Sequence, residues 1–232
     1  MVYKLPAWLF PGQCLICDGP GLEGRDICPD CLDRLPLNNP CCPCCAAPLP
    51  SERATGSLCG ACSRKPPPFA RIIAPWRYAE PLDGLLHGLK FHRKLAAGRL
   101  LGELLAEQIP PGPRPTLLVP VPRHPRQLRK TGFNHCSEIS LFLSRASGIP
   151  WSPWLLKKTR ETATQHSLPR RERLDNLLGC FAFDNSSAHR HVAVIDDIVT
   201  TGATAREAAR ALKAAGVEKV EIWAVTRTPE QR

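Results

Sequence analysis

One stretch near the carboxyl end of the chain constrains the fold most strongly, because its parts predict a strand, an acidic pair, a turn and a helix in that order. Residues 192–195 form a short apolar run rich in β-branched side chains and predict a buried strand. The run stops at two adjacent carboxylates, Asp196 and Asp197. A turn of small and hydroxyl residues, 200–204, leads into residues 205–215, whose apolar positions recur at helical spacing. This order predicts an α/β unit.

The same stretch has the chemistry of an anion-binding site. Free backbone N–H groups and the positive end of the helix dipole favour a phosphate at the helix start. Thr200, Thr201 and Thr204 add hydroxyl donors, and Gly202 lets the backbone approach closely. The neighbouring carboxylates suit vicinal hydroxyls, so a sugar monophosphate satisfies both halves. Residues 192–215 contain neither the Gly-Lys-Ser/Thr of a P-loop nor the Gly-x-Gly-x-x-Gly of a dinucleotide site.

This stretch, Val-Ile-Asp-Asp-Ile-Val-Thr-Thr-Gly-Ala-Thr at 194–204, resembles the signature with which type I phosphoribosyltransferases bind 5-phosphoribosyl 1-pyrophosphate (PRPP). The resemblance implies that the acidic pair holds the ribose 2- and 3-hydroxyls and that the turn holds the 5-phosphate. The substrate-binding residues it implies are Asp196, Asp197, Thr200, Thr201, Gly202, Ala203 and Thr204.

The first 65 residues contain four Cys-x-x-Cys pairs, a spacing in which two thiolates share one tetrahedral metal ion. The eight cysteines are Cys14, Cys17, Cys28, Cys31, Cys42, Cys45, Cys59 and Cys62. We expect two structural zinc ions rather than disulfides, which a reducing compartment disfavours, or an iron–sulfur cluster, whose spacing differs. Residues 1–65 are therefore a predicted double zinc-binding module, and residues 69–232 the predicted phosphoribosyltransferase-like domain.

Two points about this module stay open at the level of sequence. Cys41 and Cys44 also make a Cys-x-x-Cys pair, so the third pair has two registers. We favour Cys42 and Cys45, because proline at the second position stiffens the turn between them. The four pairs can combine sequentially or in interleaved order.

The composition bears on location and partners. Residues 1–9 are too short an apolar run for a signal peptide, and no stretch approaches the length of a membrane helix. We therefore expect a cytoplasmic protein with no membrane insertion. Eight thiolates and two Zn²⁺ ions lower the formal charge from +10 to about +6, which still favours a polyanionic partner.

The chain after residue 69 alternates between predicted strands and helices. The strands are expected at 71–78, 116–121, 192–195 and 217–226, and the helices at 81–91, 95–109, 134–147 and 205–215. Such alternation predicts an α/β fold: a mostly parallel sheet flanked by helices, of the type I phosphoribosyltransferase kind, with ligands at the carboxyl ends of the strands.

A basic loop follows the predicted strand 116–121. It carries Arg123, Arg126, Arg129 and Lys130, which are candidates for gripping a pyrophosphate or another polyanion. In it, Arg129-Lys-Thr-Gly-Phe-Asn134 resembles the Arg-x-x-Gly-Phe-Asn motif of the ComF/GntX family. The usual next residue of that motif is Gln, and this chain has His135 instead.

Residues 157–181 are polar, rich in arginine and irregular, as expected of a mobile lid. ComF-type chains have a similar Thr-x-x-Gln pattern here, which resembles the flexible catalytic loop of the transferase fold. The resemblance makes Gln165 and Arg171 candidate catalytic residues together with Arg123.

The resemblance to the ComF/GntX family covers nearly the whole chain and implies two functional hypotheses. In the first, the protein is a glycosyltransferase: PRPP binds with Mg²⁺, an acceptor attacks C1 and pyrophosphate leaves, in a process linked to competence, DNA uptake or the use of DNA-derived nucleotides. In the second, the protein is a non-catalytic single-stranded DNA-binding or adaptor protein that uses PRPP or a nucleotide as a regulatory ligand. Competence or DNA-processing proteins are candidate partners in both.

Overall fold

The computed structural model describes residues 12–22, 24–50, 56–160 and 178–229. The helices are α1 (Pro29–Asp33), α2 (Gly60–Arg64), α3 (Leu82–His92), α4 (Leu95–Glu107), α5 (Pro125–Thr131), α6 (His135–Ser147) and α7 (Ala203–Ala214). The strands are β1 (Arg71–Ile73), β2 (Trp76–Arg77), β3 (Leu117–Pro120), β4 (Leu156–Lys158), β5 (Phe181–Phe183), β6 (His191–Val199) and β7 (Lys219–Arg227). No helix in these ranges is long and apolar enough to span a membrane.

The main sheet has β7 and β6 at its centre. β1 and β2 both pair with one edge of β7, β6 pairs with the other edge, and β3 pairs with β6, all in parallel. β4 and β5 form a separate antiparallel pair. The predicted α/β fold with a mostly parallel sheet flanked by helices is therefore confirmed.

The two faces of the sheet support two different hydrophobic clusters. Val220, Ile222 and Ala224 of β7 belong to the cluster that contains α7, whereas Trp223 and Val225 belong to the cluster of α3, α4 and α6. This follows from the period of two along a strand, which turns alternate side chains to opposite faces. The sheet is therefore covered by helices on both faces.

The predicted strand 71–78 is interrupted between β1 and β2. Pro75 has no N–H with which to continue the ladder. The carbonyl oxygens of Ala74 and Pro75 instead accept hydrogen bonds from Asn38, at 3.0 Å from its side chain and 2.8 Å from its backbone N. The edge of the sheet is thus joined to the cysteine-rich segment at the point where the strand breaks.

The prediction that a strand ends before the acidic pair is wrong. β6 continues to Val199, because β7 extends beside it and pairs Thr226 with Ile198 and Arg227 with Val199. α7 correspondingly begins at Ala203, earlier than predicted. The sequence analysis also missed α5 within the basic loop and the β4–β5 pair at the ends of the predicted lid.

The cysteine-rich segment packs on both faces of the sheet. Cys14 and Ile27 belong to the cluster that contains α3, whereas Cys42 and Cys45 belong to the cluster that contains α7. Residues 36–44 of the segment lie along the β1–β2 edge, where Cys44 O accepts a hydrogen bond of 2.8 Å from the N–H of Ile72. An edge covered in this way is protected from pairing with another chain.

Candidate functional site

The eight predicted metal-binding cysteines form two groups of four. One group is Cys14, Cys17, Cys28 and Cys31, and the other is Cys42, Cys45, Cys59 and Cys62. Within each group all the sulfur atoms lie within 4.8 Å of one another. The Sγ atoms of Cys17 and Cys28 are 3.7 Å apart and those of Cys45 and Cys59 are 3.6 Å apart, close to the roughly 3.8 Å edge of a tetrahedron with Zn–S bonds of about 2.3 Å. Both groups therefore fit a structural zinc ion.

The grouping answers the two questions that the sequence left open about the cysteine pairs. The pairs combine sequentially, and Cys41 and Cys44 are not among the grouped thiols. One thiol in each group is close to the thiolate form that zinc needs. Burial raises the pKa of Cys14, but backbone N–H groups, that of Cys17 first, lower it to about 6. Burial also raises the pKa of Cys42, but backbone N–H groups, that of Cys59 first, lower it to about 7.

The phosphate-binding turn predicted at 200–204 connects β6 to α7. Gly202, with φ of +72°, occupies the left-handed region at the N-cap of α7, a conformation that glycine adopts without strain. Thr201 Oγ1 accepts a hydrogen bond of 3.3 Å from the N–H of Ala203. Thr200 and Thr204 are partly exposed beside this helix start. The predicted phosphate-binding residues therefore lie together at the amino end of a twelve-residue helix.

A buried arginine that the sequence analysis did not single out holds the start of this turn. Arg227 is 3% exposed, and its Nη1 donates to the carbonyl oxygens of Val199, at 2.9 Å, and Thr200. Its Nε donates to Cys45 O at 3.3 Å. One side chain thus connects the predicted phosphate-binding turn with the second cysteine group, and a lone arginine at the end of a strand gives no signal of this in the sequence.

The two predicted ribose-binding carboxylates are adjacent in β6 and almost fully buried, 8% exposed for Asp196 and 7% for Asp197. Asp196 Oδ1 accepts a hydrogen bond of 3.0 Å from the N–H of Asp197. Asp197 Oδ2 lies 2.9 Å from His135 Nε2 and 3.9 Å from Lys90 Nζ. The contact with His135 is short but not aligned as a hydrogen bond, and within the described ranges no aligned donor reaches Asp197 Oδ2.

The surroundings of the two carboxylates shift their pKa values in opposite directions. Burial and then the charge of Asp197 raise the pKa of Asp196 well above its ordinary value. Burial also raises the pKa of Asp197, but His135 and Lys90 lower it by more than burial raises it, so the net shift is downward. Of the two side chains, Asp197 is therefore the one that more readily stays ionised, and Asp196 is the one that holds a proton more tightly.

His135 is the residue at which the chain departs from the ComF/GntX motif, and it lies between Arg123 and Asp197. Arg123 Nη2 is 3.0 Å from His135 Nδ1. Because a guanidinium only donates, Nδ1 must accept, and the proton of the neutral ring is on Nε2, facing Asp197. His135, Cys136 and Asp197 have the composition of a metal site. The protonated Nε2 has no lone pair for a metal, so this arrangement favours a row of polar contacts, Arg123–His135–Asp197, over a third metal centre.

The other residues of that motif build the corner from which His135 projects. Gly132 ends α5 in the left-handed region with φ of +74°. Phe133 lies beneath two guanidinium groups, 5.6 Å from that of Arg93 and 5.9 Å from that of Arg123. Asn134 caps α6 by accepting from Cys136 N at 3.2 Å, and it donates to Val121 O at 2.9 Å. The motif therefore joins α6 to the carboxyl end of β3.

The predicted polyanion-binding residues divide into two sets. Arg123 is partly buried and contacts His135, whereas Arg126, Arg129 and Lys130 are exposed on α5. The remaining predicted catalytic residues, Gln165 and Arg171, lie outside the described residues. Lys90, at the end of α3, joins the site through Asp197.

Comparison with known proteins gives similarities over both parts of the chain. A family model described as a double zinc ribbon domain matches residues 5–65. The DNA utilization protein YhgH of Escherichia coli K12 is 34% identical over 225 residues, which cover 94% of this chain and 98% of the relative. Competence protein F of Haemophilus influenzae is 30% identical over 229 residues, with the same coverage of 94% and 98%.

A similarity to a solved structure is weaker. The glutamine PRPP amidotransferase from B. subtilis, in complex with ADP and GMP, matches 55% of this chain and 25% of its own, with a TM-score of 0.38 and 18% sequence identity.

Proposed function

The chain belongs to the ComF family, together with DNA utilization protein YhgH and competence protein F, and from that premise we propose that it binds PRPP with Mg²⁺ at the β6–α7 site and transfers the ribosyl phosphate to an acceptor. The DNA-related names of the relatives suggest that this chemistry serves DNA uptake or the use of DNA-derived nucleotides.

One observation carries the proposal: a buried carboxylate oxygen without an aligned donor lies beside a helix start suited to phosphate. Asp197 Oδ2 has acceptor capacity that the described residues do not use. Gly202 and the amino end of α7 follow only a few residues later along the chain. A ribose 5-phosphate group presents hydroxyls and a phosphate at the corresponding positions, which supports a ligand of this class.

The transfer reaction requires little covalent chemistry from the protein. The acceptor's lone pair forms a bond to C1 of the ribose while the C1–oxygen bond breaks, and its electrons leave on pyrophosphate. Arg123, with the exposed Arg126, Arg129 and Lys130, would stabilise this departing charge. Gln165 and Arg171 remain the predicted catalytic residues of the lid.

Mg²⁺ would neutralise the pyrophosphate of the ligand. The three metal-capable clusters of the described residues contain at most one carboxylate each. Mg²⁺ prefers several oxygen ligands and retains water, so ligand oxygens and water would supply most of its coordination shell.

The proposal is tested by calorimetric titration of PRPP with Mg²⁺ into the zinc-loaded protein. We expect the double variant Asp196→Asn, Asp197→Asn to lose tenfold or more in affinity, about 1.4 kcal/mol, because each amide replaces one acceptor oxygen by an NH2 donor and removes the negative charge. Asp184→Asn changes an exposed carboxylate in a turn and is the matched control, with unchanged affinity expected.

Two further measurements extend the titration. Titration with ribose 5-phosphate and with pyrophosphate separately tells which half of the ligand each group of residues recognises. Release of pyrophosphate with a panel of nucleobases and amines then identifies the acceptor. If neither the wild type nor the control binds PRPP, the site is not a PRPP site and the proposal is rejected.

A second candidate function, binding of single-stranded DNA by a non-catalytic adaptor, is favoured by a basic surface with an exposed aromatic ring. Phe91, at the end of α3, is 59% exposed, and its ring lies 4.7 Å from that of His87 and 5.7 Å from Lys90 Nζ. Exposed rings next to cations suit stacked bases and phosphates. A steep decrease of DNA affinity with salt, together with loss of affinity in Phe91→Ala, would support this function.

A further inference from the structure

Three side chains from three parts of the chain form a continuous row that ends at the ribose-hydroxyl site. Arg123 comes from the segment after β3, His135 opens α6 and Asp197 lies in β6. The separations are 3.0 Å from Arg123 Nη2 to His135 Nδ1 and 2.9 Å from His135 Nε2 to Asp197 Oδ2. His135 is only 7% exposed, so water does not substitute freely for either contact.

We propose that His135 is a positioning residue of the ribose-hydroxyl site: its Nε2 holds the Asp197 carboxylate, and Arg123 holds the imidazole in the one tautomer that can do so. This inference rests on the proposed PRPP site. His135 touches no reacting atom in this scheme. Its effect is to fix the direction in which Asp197 presents its acceptor oxygens, and the poorly aligned contact leaves Oδ2 able to accept from a ligand hydroxyl.

The charged groups around the imidazole explain why its tautomer matters. Arg123 and Asp197 contact the ring directly, and Lys90 on α3 and Asp196 on β6 are the neighbouring charges of Asp197. A ring with its proton on Nδ1 would direct an N–H at the guanidinium and a lone pair at the carboxylate. Both contacts would then be repulsive, so the tautomer with the proton on Nε2 is required.

Glutamine and leucine at position 135 should differ in their effect on PRPP affinity. A glutamine amide, like the neutral imidazole, accepts on one side and donates on the other, so His135→Gln can accept from Arg123 and donate to Asp197. A leucine of similar bulk can do neither. We expect His135→Gln to rescue PRPP affinity to within about threefold of wild type, and His135→Leu to lose tenfold or more, about 1.4 kcal/mol.

The experiment combines this titration with ¹⁵N NMR of the ligand-free, zinc-loaded protein. The chain has seven histidines, and the His135 signals are assigned by their disappearance in His135→Gln. We expect an unprotonated Nδ1 and a protonated Nε2, and loss of this single state in Arg123→Met. His189→Leu, at the opposite end of β6, is the matched control and should bind as wild type does. If His135→Leu fails to fold, the tautomer of His135 in Arg123→Met is the test, because Arg123 also belongs to the proposed pyrophosphate site and its loss lowers PRPP affinity in either case.

The possible failures are distinguishable. If wild type binds PRPP and His135→Leu binds equally well, or if Nδ1 carries the proton, the positioning role is overturned while the PRPP site stands. If wild type does not bind PRPP, the proposed function fails and the positioning role falls with it.

Discussion

At the scale of single residues, Glu221 is a fully buried carboxylate in the central strand β7. Its partners are Trp223 Nε1 at 2.9 Å, Lys219 Nζ at 3.0 Å, Arg71 Nε at 3.2 Å and His191 Nε2 at 3.2 Å. Burial raises the pKa of Glu221, but the hydrogen bond from Trp223 and the cations of Lys219 and Arg71 outweigh it and lower the pKa overall. The carboxylate is therefore part of the structure rather than of the ligand site.

We predict that Glu221→Gln lowers the free energy of unfolding at pH 7 by about 1.5–3 kcal/mol, the range for hydrogen bonds to a charged group. Because folding lowers this pKa, the contribution of the carboxylate is present in full above the unfolded pKa of about 4.3 and is lost as the pH falls through the lower folded pKa. Wild type should thus lose its advantage over the variant on acidification, as measured by urea unfolding at pH 7 and pH 3.

Glu218→Gln is the matched control for Glu221→Gln. The Glu218 carboxylate also pairs with an arginine, Arg190, but both side chains are more than half exposed. Its loss should cost less than about 1 kcal/mol. An equal cost for the two variants, or a difference that persists at pH 3, would contradict the assignment of Glu221.

At the scale of secondary-structure elements, the crossing of α4 and α6 determines where His135 lies. Gly102 is the point of closest approach: a Cβ there would be 2.7 Å from Ile139 O and 2.9 Å from Leu143 N. Both are backbone atoms of α6, which cannot move without moving the helix that begins at His135.

We predict that Gly102→Ala destabilises the protein by about 1–3 kcal/mol, the usual cost of overpacking a core, and weakens ligand binding by displacing α6. Gly84 provides the control, because it is an exposed helical glycine of α3 with open space at its Cβ position. Gly84→Ala should gain up to about 1 kcal/mol from helix propensity. Thermal unfolding of both variants separates the two effects, and a stabilised Gly102→Ala would refute the close crossing.

The elements with strong periodicity were predictable from the sequence, and those that depend on distant partners were not. α3, α4 and α6 have apolar stripes that mark them locally. β6 continues through Asp196 and Asp197 only because β7 extends beside it, which no local pattern reveals. The contacts of His135 with Arg123 and Asp197 were likewise not predictable, since the strand that supplies Asp197 is remote in sequence from α6.

The site itself was predictable in its residue types but not in its electrostatics. The acidic pair and the hydroxyl-rich turn were evident from their order along the chain. Burial and the charge of Asp197 raise the pKa of Asp196, whereas His135 and Lys90, which only the fold brings near, lower the pKa of Asp197 against the effect of burial. The same applies to Arg227, whose role depends on the neighbouring turn and on Cys45.

At the scale of the whole molecule, the cysteine-rich segment is a support for the sheet rather than an independent appendage. Its two groups of four cysteines lie against the hydrophobic clusters on opposite faces of the sheet. Arg227 connects the second group with the predicted phosphate-binding turn. A segment this small gains its stability mainly from bound metal. Loss of zinc should therefore disturb the structure of the proposed ligand site as well as that of the segment.

We predict two zinc ions per chain in the wild type and one in Cys42→Ser, with a loss of more than about 3 kcal/mol in the free energy of unfolding. Cys41→Ser is the matched control: Cys41 is next to Cys42 but is not one of the four grouped cysteines, so this variant should retain two zinc ions. Elemental analysis by mass spectrometry and thermal unfolding check both quantities. One zinc ion in Cys41→Ser, with two in Cys42→Ser, would assign the other register of this Cys-x-x-Cys pair.

The pairing order of the sheet determines how the protein can assemble during synthesis. β1, β2 and β3 leave the ribosome early, yet their ladder partners β7 and β6 are translated much later. A strand waiting for its partner exposes backbone groups that other chains can pair with. The cysteine-rich segment is translated before all of them and contains the residues that cover the β1–β2 edge. Zinc loading of the nascent chain would thus leave β1 and β2 with one open edge, the edge that β7 later fills.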